Sequence, residues 1–226
     1  MWWFAAAHAN LIMLLRRFRA GAPLLDAGCG TGGFLARLAR ELPECRAIGV
    51  EANRIACAWA AKKSTGPVCA GSVNSLPFGD AVFAAVVSVD VLCHRDVDED
   101  LALEQFRRCL AAGGLLILNL PAYRWLMSRH DAAVYNARRY TRAGVLAMLR
   151  RAGFRPLFAS YWNTLLFPVM IAARKLLPRG TSDVAPQPGF VDAIGRAATT
   201  VERWLLRGGL HLPFGGSVLA VAAKAE

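Results

Sequence analysis

Short unbroken apolar runs alternate along this chain with stretches in which apolar residues recur every three or four positions. "PLLDAG", "RAIGVEAN", "PVCAGS", "AVFAAVVSVD" and "LLILNLP" are runs of the first kind and read as buried strands. "GGFLARLAREL", "RIACAWAAKK" and "DEDLALEQFRRCLAAGG" lie between them and read as helices, the last closed by its glycines. "TRAGVLAMLRRAGF" predicts a helix with Thr141 as N-cap. The strand "RPLFASYW" follows, and a final strand is expected in Gly215–Ala225. Strands apolar throughout, alternating with helices, predict an α/β fold: a doubly wound, mostly parallel seven-stranded sheet with helices on both faces.

One segment breaks the alternation. About fifty residues separate Trp162 from Gly215, where a turn would suffice. They read as an apolar helix in "NTLLFPVMIAARKLLPRG", a loop in "TSDVAPQPG", and an amphipathic helix in "FVDAIGRAATTVERWLLRGG". The expected organisation is one domain: an N-terminal helix over 1–22, a core over 23–162, a helical insert over 163–214 and a last strand over 215–226. The insert is expected to be a lid, a homodimer face or a membrane foot, the foot being the helix over 163–177.

The first turn carries the chemistry. In "LLDAGCGTGGF" a carboxylate, Asp26, stands two residues before Gly28, Gly30, Gly32 and Gly33. Open parallel sheets bind ligands beyond the carboxyl ends of their strands, and glycines let the backbone approach such a ligand. Glu51 ends the second strand, where a carboxylate can accept from both hydroxyls of a ribose. Gly28, Gly30 and Gly33 also satisfy the dinucleotide pattern G-x-G-x-x-G. A carboxylate at Asp26 would oppose a pyrophosphate, however, and suits a cationic ammonium.

Taken together, "DAGCGTGG", "GVEAN", "GSVNSLPF" and the "DVL" after the fourth strand resemble the class I S-adenosyl-L-methionine-dependent methyltransferases, in the small-molecule branch often called type 11. The resemblance covers about Pro23 to Gly153 and the terminal strand. It implies that Asp26, Ala27, Gly28, Cys29, Gly30 and Gly32 hold the amino-acid part of the cofactor. Glu51 and Ala52 would hold the ribose, Ser72 and Val73 the adenine, and the backbone of Val89 and Asp90 would face the methionyl end. Ser72 stands where the family usually has Asp, so the adenine amino group would meet an uncharged acceptor.

Methyl transfer needs alignment, exclusion of water and, for some acceptors, a base. "PAYRWLMSRHDAAVYNARRYT" follows the fifth strand at the same sheet edge. His130 is the first candidate base, because an imidazole titrates near neutrality. Asp131 could orient it or act in its place, and His94, after the fourth strand, is a further candidate. Tyr123, Trp125, Arg138, Arg139 and Tyr140 are candidate acceptor contacts, the two arginines for a carboxylate or phosphate. The plainer reading makes those arginines a charged helix cap or a solvated face. Trp2, Trp3 and Phe4 would either cover the cofactor or pack in the core, and His8 and His211 receive no role. A candidate base and an anion-binding pair favour O-methylation over N- or C-methylation.

Composition bears on the partner. The 226 residues carry 27 basic and 16 acidic side chains, a net charge of +11, with mean hydropathy +0.34. That balance suits an anionic lipid surface, a nucleic acid or an anionic substrate, or is simply the solvated faces of Ala/Arg-rich helices. The acceptor is expected to be a small or lipid-like molecule. RNA is the alternative, disfavoured by the lack of an "NPPY"-like tetrapeptide and by basic residues spread over many helices. A nicotinamide oxidoreductase and a non-catalytic binding module are the remaining alternatives. Six scattered cysteines without a CxxC pair predict a reduced, cytoplasmic setting, peripheral to the inner membrane face if the foot exists, and no metal site. The apolar start of the chain is too short to span a bilayer and lacks a basic leader.

Overall fold

The computed structural model describes residues 2–176 and 189–225. Its strands are β1 (Leu24–Ala27), β2 (Ala47–Glu51), β3 (Val68–Ala70), β4 (Phe83–Val89), β5 (Leu110–Pro121), β6 (Phe154–Trp162) and β7 (Ser217–Lys224). They form one seven-stranded sheet in the order β3-β2-β1-β4-β5-β7-β6. β7 runs antiparallel between β5 and β6, and the pairs among β1 to β5 are parallel. The described helices include α1 (Trp2–Arg17), α2 (Gly33–Glu41), α3 (Arg54–Lys63), α4 (Glu99–Cys109), α5 (Arg129–Ala133), α6 (Arg142–Arg151), α7 (Phe167–Leu176) and α8 (Gly189–Arg207).

The side-chain alternation of each strand sorts the core into two layers. Leu24, Val87, Ile117, Leu219 and Val221 face one side and pack with α1 and α2 through Leu11, Leu14, Phe34 and Leu38. Leu25, Val86, Leu116, Val218 and Ala220 face the other and pack with α4 and α6 through Leu103, Phe106, Val145 and Leu149. Apolar residues on both faces are what a sheet covered twice requires. Short polar side chains start the helices. Asn53 Oδ1 accepts from the Ile55 and Ala56 amides, Asp98 Oδ1 from those of Asp100 and Leu101, and Thr141 Oγ1 from Gly144 N, as expected of the N-cap.

One expectation changes. The glycines expected to close the helix before β5 lie inside that strand. Phe83 pairs with Leu110 and Ala85 with Leu115, so residues 111–114 bulge out of the ladder, and Gly113 takes φ +69° there. The insert, expected as a lid, a homodimer face or a membrane foot, packs in part on the N-terminal helix. α8 lies along α1, with Trp2 against Gly195, Arg203 Nε donating to Asn10 Oδ1 at 3.3 Å and an Arg17 Nη donating to Leu206 O at 2.8 Å. The loop expected at Thr181–Gly189 falls almost wholly outside the described residues. No helix among the described residues is long and apolar enough to cross a membrane.

Candidate active site

The chain leaves β1 towards β2 on one side and reaches β4 on the other, so the sheet's switch point lies between β1 and β4. Asp26 and Ala27 end β1, Val89 ends β4 and Asp90 follows it. Between them the glycine turn leaves β1. Gly28 N and Cys29 N donate to Val50 O at 2.9 and 3.0 Å, which ties the turn to β2. Gly28 has φ +84°, and a Cβ there would stand 2.3 Å from Val91 Cγ2, so no other residue fits. Gly30 has φ +54° and nothing within 4 Å of its Cβ position: here the backbone borders open space.

The carboxylates predicted around the turn meet there. Gly30 N donates to Glu51 Oε2 and Asn53 N to Glu51 Oε1, both at 2.8 Å, so two backbone amides hold the Glu51 carboxylate against the turn. Asp26 is buried, and its Oδ2 has no hydrogen-bond partner among the described residues. Burial first, and the charge of Glu51 second, push its pKa up to about 8. An orphaned carboxylate oxygen beside an open glycine turn fits a ligand that brings its own cationic donor. Asp90 takes φ +53°, its Oδ1 accepts from Asn119 Nδ2 at 3.0 Å, and burial raises its pKa to about 7 despite that bond and the nearby charge of Arg139. Trp162 Nε1 donates to Asn119 Oδ1 at 2.7 Å, which fixes the amide with its nitrogen towards Asp90. Val73 is buried, while Ser72 is exposed and its hydroxyl accepts from Asn74 N at 3.2 Å in its own turn. Ala52 is exposed at the end of β2.

The predicted acceptor contacts divide. Arg138 does not face a ligand. Its guanidinium donates to the carbonyls of Leu92 at 3.1 Å, His94 at 2.6 Å and Val97, stapling the loop after β4. Arg139 is likewise committed, to Asp131 Oδ1 at 2.8 Å and to Ala122 O at 2.9 Å. Asp131 is fully buried and also accepts from Ser128 N and Ser128 Oγ, and these partners hold its carboxyl below the usual range. It braces the turn over 128–139 rather than serving as a base. Tyr140 is buried, with its hydroxyl on Leu92 O at 3.0 Å. Arg138 and Tyr140 find backbone partners more than forty residues away, and Arg139 and Asp131 find each other across a turn, which spacing alone does not reveal.

Tyr123 does belong to a surface. Its ring stacks on Tyr161 at 5.1 Å and lies 5.7 Å from both Trp125 and Phe167, and Phe167 lies 5.7 Å from Phe214. This aromatic wall follows the ends of β5 and β6, on the same edge as Asp90. Tyr161, Phe167 and Phe214 are additions to the sequence reading, detectable only once β6 is known to end at the same sheet edge as β5, with β7 between them. His94 is half-buried beside this edge and hydrogen-bonds the Asp90 backbone. Burial lowers its pKa, although Glu51 and Asp96 pull the other way. His130 falls in α5, but its side chain lies outside the described residues. His8, given no role from sequence, lies 5.6 Å from Phe34 with the rings tilted at 60° and approaches the start of α2 at Gly33, with a pKa lowered to about 4 by burial and by Arg37 and Lys63. Trp3 packs 5.7 Å from Trp162, and Phe4 is exposed, so the N-terminal aromatics serve packing first.

A sheet of this order, with a glycine turn flanked by carboxylates at its switch point, defines the class I methyltransferase architecture, and comparison with known proteins agrees. Residues 25–118 match the family model described as a methyltransferase domain. The 24-methylenesterol C-methyltransferase 2 of Oryza sativa subsp. japonica is 30% identical over 126 residues, 53% of this chain and 33% of that protein. An O-methyltransferase of Penicillium expansum is 30% identical over 105 residues, 43% of this chain and 37% of that protein. The chain thus spans about a third of these curated relatives. Among solved structures, geranyl diphosphate C-methyltransferase from Streptomyces coelicolor aligns at TM-score 0.64 and 15% identity, covering 97% of this chain and 77% of that one. Residues 25–118 of this protein thus match a methyltransferase domain, on the fold of a geranyl diphosphate methyltransferase solved in complex with S-adenosylmethionine, at TM-score 0.64 and 17% identity. The match to a methyltransferase domain speaks against the oxidoreductase alternative.

Proposed function

We propose that this protein transfers the methyl group of S-adenosylmethionine to a small, largely apolar, lipid-like acceptor. The observation that carries the reading is the wall of Tyr123, Trp125, Phe167 and Phe214 on the sheet edge that also carries Asp90. Bound S-adenosylmethionine supplies a methyl group on a cationic sulfur, ready for displacement by a nucleophile. Asp26 would receive the amino group, Glu51 the ribose hydroxyls, and Ser72 and Val73 the adenine. Val89 and Asp90 would line the methionyl side.

The protein's own contribution is alignment and exclusion of water. Aromatic rings give apolar surface at little cost in side-chain freedom and set the face of a flat or isoprenoid-like acceptor. His94, whose pKa is lowered by burial, would accept the proton where the acceptor is a hydroxyl, and His130 is a second candidate base for the same role. Arg138 and Arg139 offer no free anion site in support of O-methylation, because they are committed to Leu92, His94, Val97, Ala122 and Asp131. That commitment also weakens RNA as acceptor. Incubation with labelled S-adenosylmethionine and fractionated lipid and aqueous extracts tests the reading. Label should enter the organic phase, and Tyr123→Ala with Phe167→Ala should lower that transfer while leaving S-adenosylhomocysteine affinity unchanged. Label confined to aqueous metabolites or to RNA would overturn the apolar acceptor.

A further inference from the structure

α8 buries the wrong stripe for a helix of a self-contained domain. Its inward positions are Gly195, Thr199, Glu202 and Leu206, which meet α1 and the chain after β6. Its large apolar residues point outward: Phe190 is 68% exposed, Ile194 56%, Val201 53% and Trp204 73%. At 100° per residue these four and Ala197 fall within an arc of about 80°. The row is a continuous apolar stripe along the helix, and among the described residues nothing covers it. Arg196, Arg203 and Arg207 gather on one flank, within an arc of about 40° on the same count. Arg196 also pairs with Asp192 at 2.6 Å, and Arg203 turns partly inward to Asn10, while Arg207 is exposed. Beyond the helix, Leu210 shares a shallow surface hollow with Trp204 and Arg207, which extends the apolar edge.

The geometry points to α8 as a docking face for an anionic lipid surface, with the helix lying flat. The apolar stripe would enter the acyl boundary and the arginine flank would meet the headgroups. This stripe-and-flank pattern is what distinguishes a helix lying in an interface from one that spans it. Charge selects the occupant. The chain carries +11, and a basic flank beside an apolar stripe complements a negative bilayer, whereas a second copy would bring like charge to the same flank. This face is on α8 and is distinct from the foot expected on the helix over 163–177, which is described only to Leu176. It places the protein where an apolar acceptor would reside, yet it stands or falls independently of methyl transfer.

The test is sedimentation with vesicles of phosphatidylcholine alone and of phosphatidylcholine mixed equally with phosphatidylglycerol. The full chain should bind the mixed vesicles, and added salt should weaken the binding. The variant I194E/W204E should lose about tenfold or more in partitioning, and R196Q/R207Q should lose about tenfold on mixed vesicles but little on neutral ones. S-adenosylhomocysteine affinity, read by calorimetry, should be unchanged in both and serves as the control for folding. The proposal is overturned if the parent chain ignores both vesicle types, or if I194E/W204E binds as the parent does. It is equally overturned if sedimentation velocity shows a dimer that I194E/W204E dissolves while vesicles are ignored, since the stripe then belongs to a second copy.

Discussion

Three carboxylates near the sheet's ligand edge have opposite electrostatic fates, and the difference is one of partners. Asp131 is buried with Arg139 against it and stays ionised. Asp26 and Asp90 are held towards the neutral form by burial, and Asp26 keeps an oxygen without a partner. A raised carboxyl pKa means that the folded protein binds a proton the unfolded chain has lost. Stability from Asp26 is therefore present at low pH and lost as pH rises through about 8. A cationic ligand reverses this by favouring the ionised form. S-adenosylhomocysteine binding near pH 7 should release a proton, and its affinity should fall by about tenfold per pH unit on acidification below 8. Calorimetry in buffers of different ionisation enthalpy reads both. In Asp26→Asn the pH dependence should flatten and affinity drop about 10- to 100-fold, as for loss of a charge-assisted hydrogen bond. The opposite case is Arg139→Ala. It leaves Asp131 buried without its counter-charge and should cost about 3–5 kcal/mol in urea unfolding. The double variant with Asp131→Ala should recover part of that. For Asp131 the sign is reversed: its lowered pKa gives stability above the ordinary carboxylate range that is lost on acidification through the lower folded value.

At the scale of elements, α8 is secured by a polar residue where an apolar one would be expected. Glu202 is buried, and its two oxygens accept from Asn163 N at 2.6 Å and Leu165 N at 2.7 Å. It thus fixes the chain between β6 and α7, where Asn163 takes φ +60°. Glu202→Ala should strand the buried Asn163 amide and the partly buried Leu165 amide and cost about 1–3 kcal/mol, whereas Glu202→Gln should cost less because one acceptor survives; thermal unfolding with and without S-adenosylhomocysteine reads the difference. The same contrast explains how far the sequence could be read. β1 to β4, the glycine turn and the Glu51 carboxylate were legible because strand ends and glycines act locally: the residues that shape the turn are the residues in it. The acceptor side was not, because Arg138 and Arg139 are decided by carbonyls and a carboxylate that only the folded chain brings near. The start of β5 was missed for a related reason. Gly113 and Gly114 look like a helix stop, and only pairing with β4 turns them into a bulge.

For the molecule as a whole, α1 is a structural layer as much as an N-terminal extension. Leu11, Ile12, Leu14 and Leu15 are at most 3% exposed and join the core on one face of the sheet with Leu24, Val87, Ile117 and Leu219. α8 rests on that helix in turn, so the proposed lipid-facing stripe is carried on α1 rather than on the sheet. At about 1.5–3 kcal/mol per buried aliphatic side chain, those four residues account for roughly 6–12 kcal/mol of transfer free energy. That equals most of the about 5–15 kcal/mol by which a domain of this kind is stable. A chain beginning at Gly21 would also bare the sheet face that α1 covers. It should therefore fail to unfold cooperatively and should bind hydrophobic dye. Vesicle binding should then lose its preference for anionic lipid, because exposed core would bind any bilayer. Leu11→Ala with Leu14→Ala is the milder test. It should cost about 4–10 kcal/mol, and saturating S-adenosylhomocysteine should recover no more than its own binding energy, since the cofactor edge lies at the strand ends and not beneath the helix. Loss of the dye-free, cooperative transition in the truncated chain, with the parent's transition intact, would establish α1 as part of the folding unit. A truncated chain that melts like the parent would show that the sheet and its remaining helices suffice.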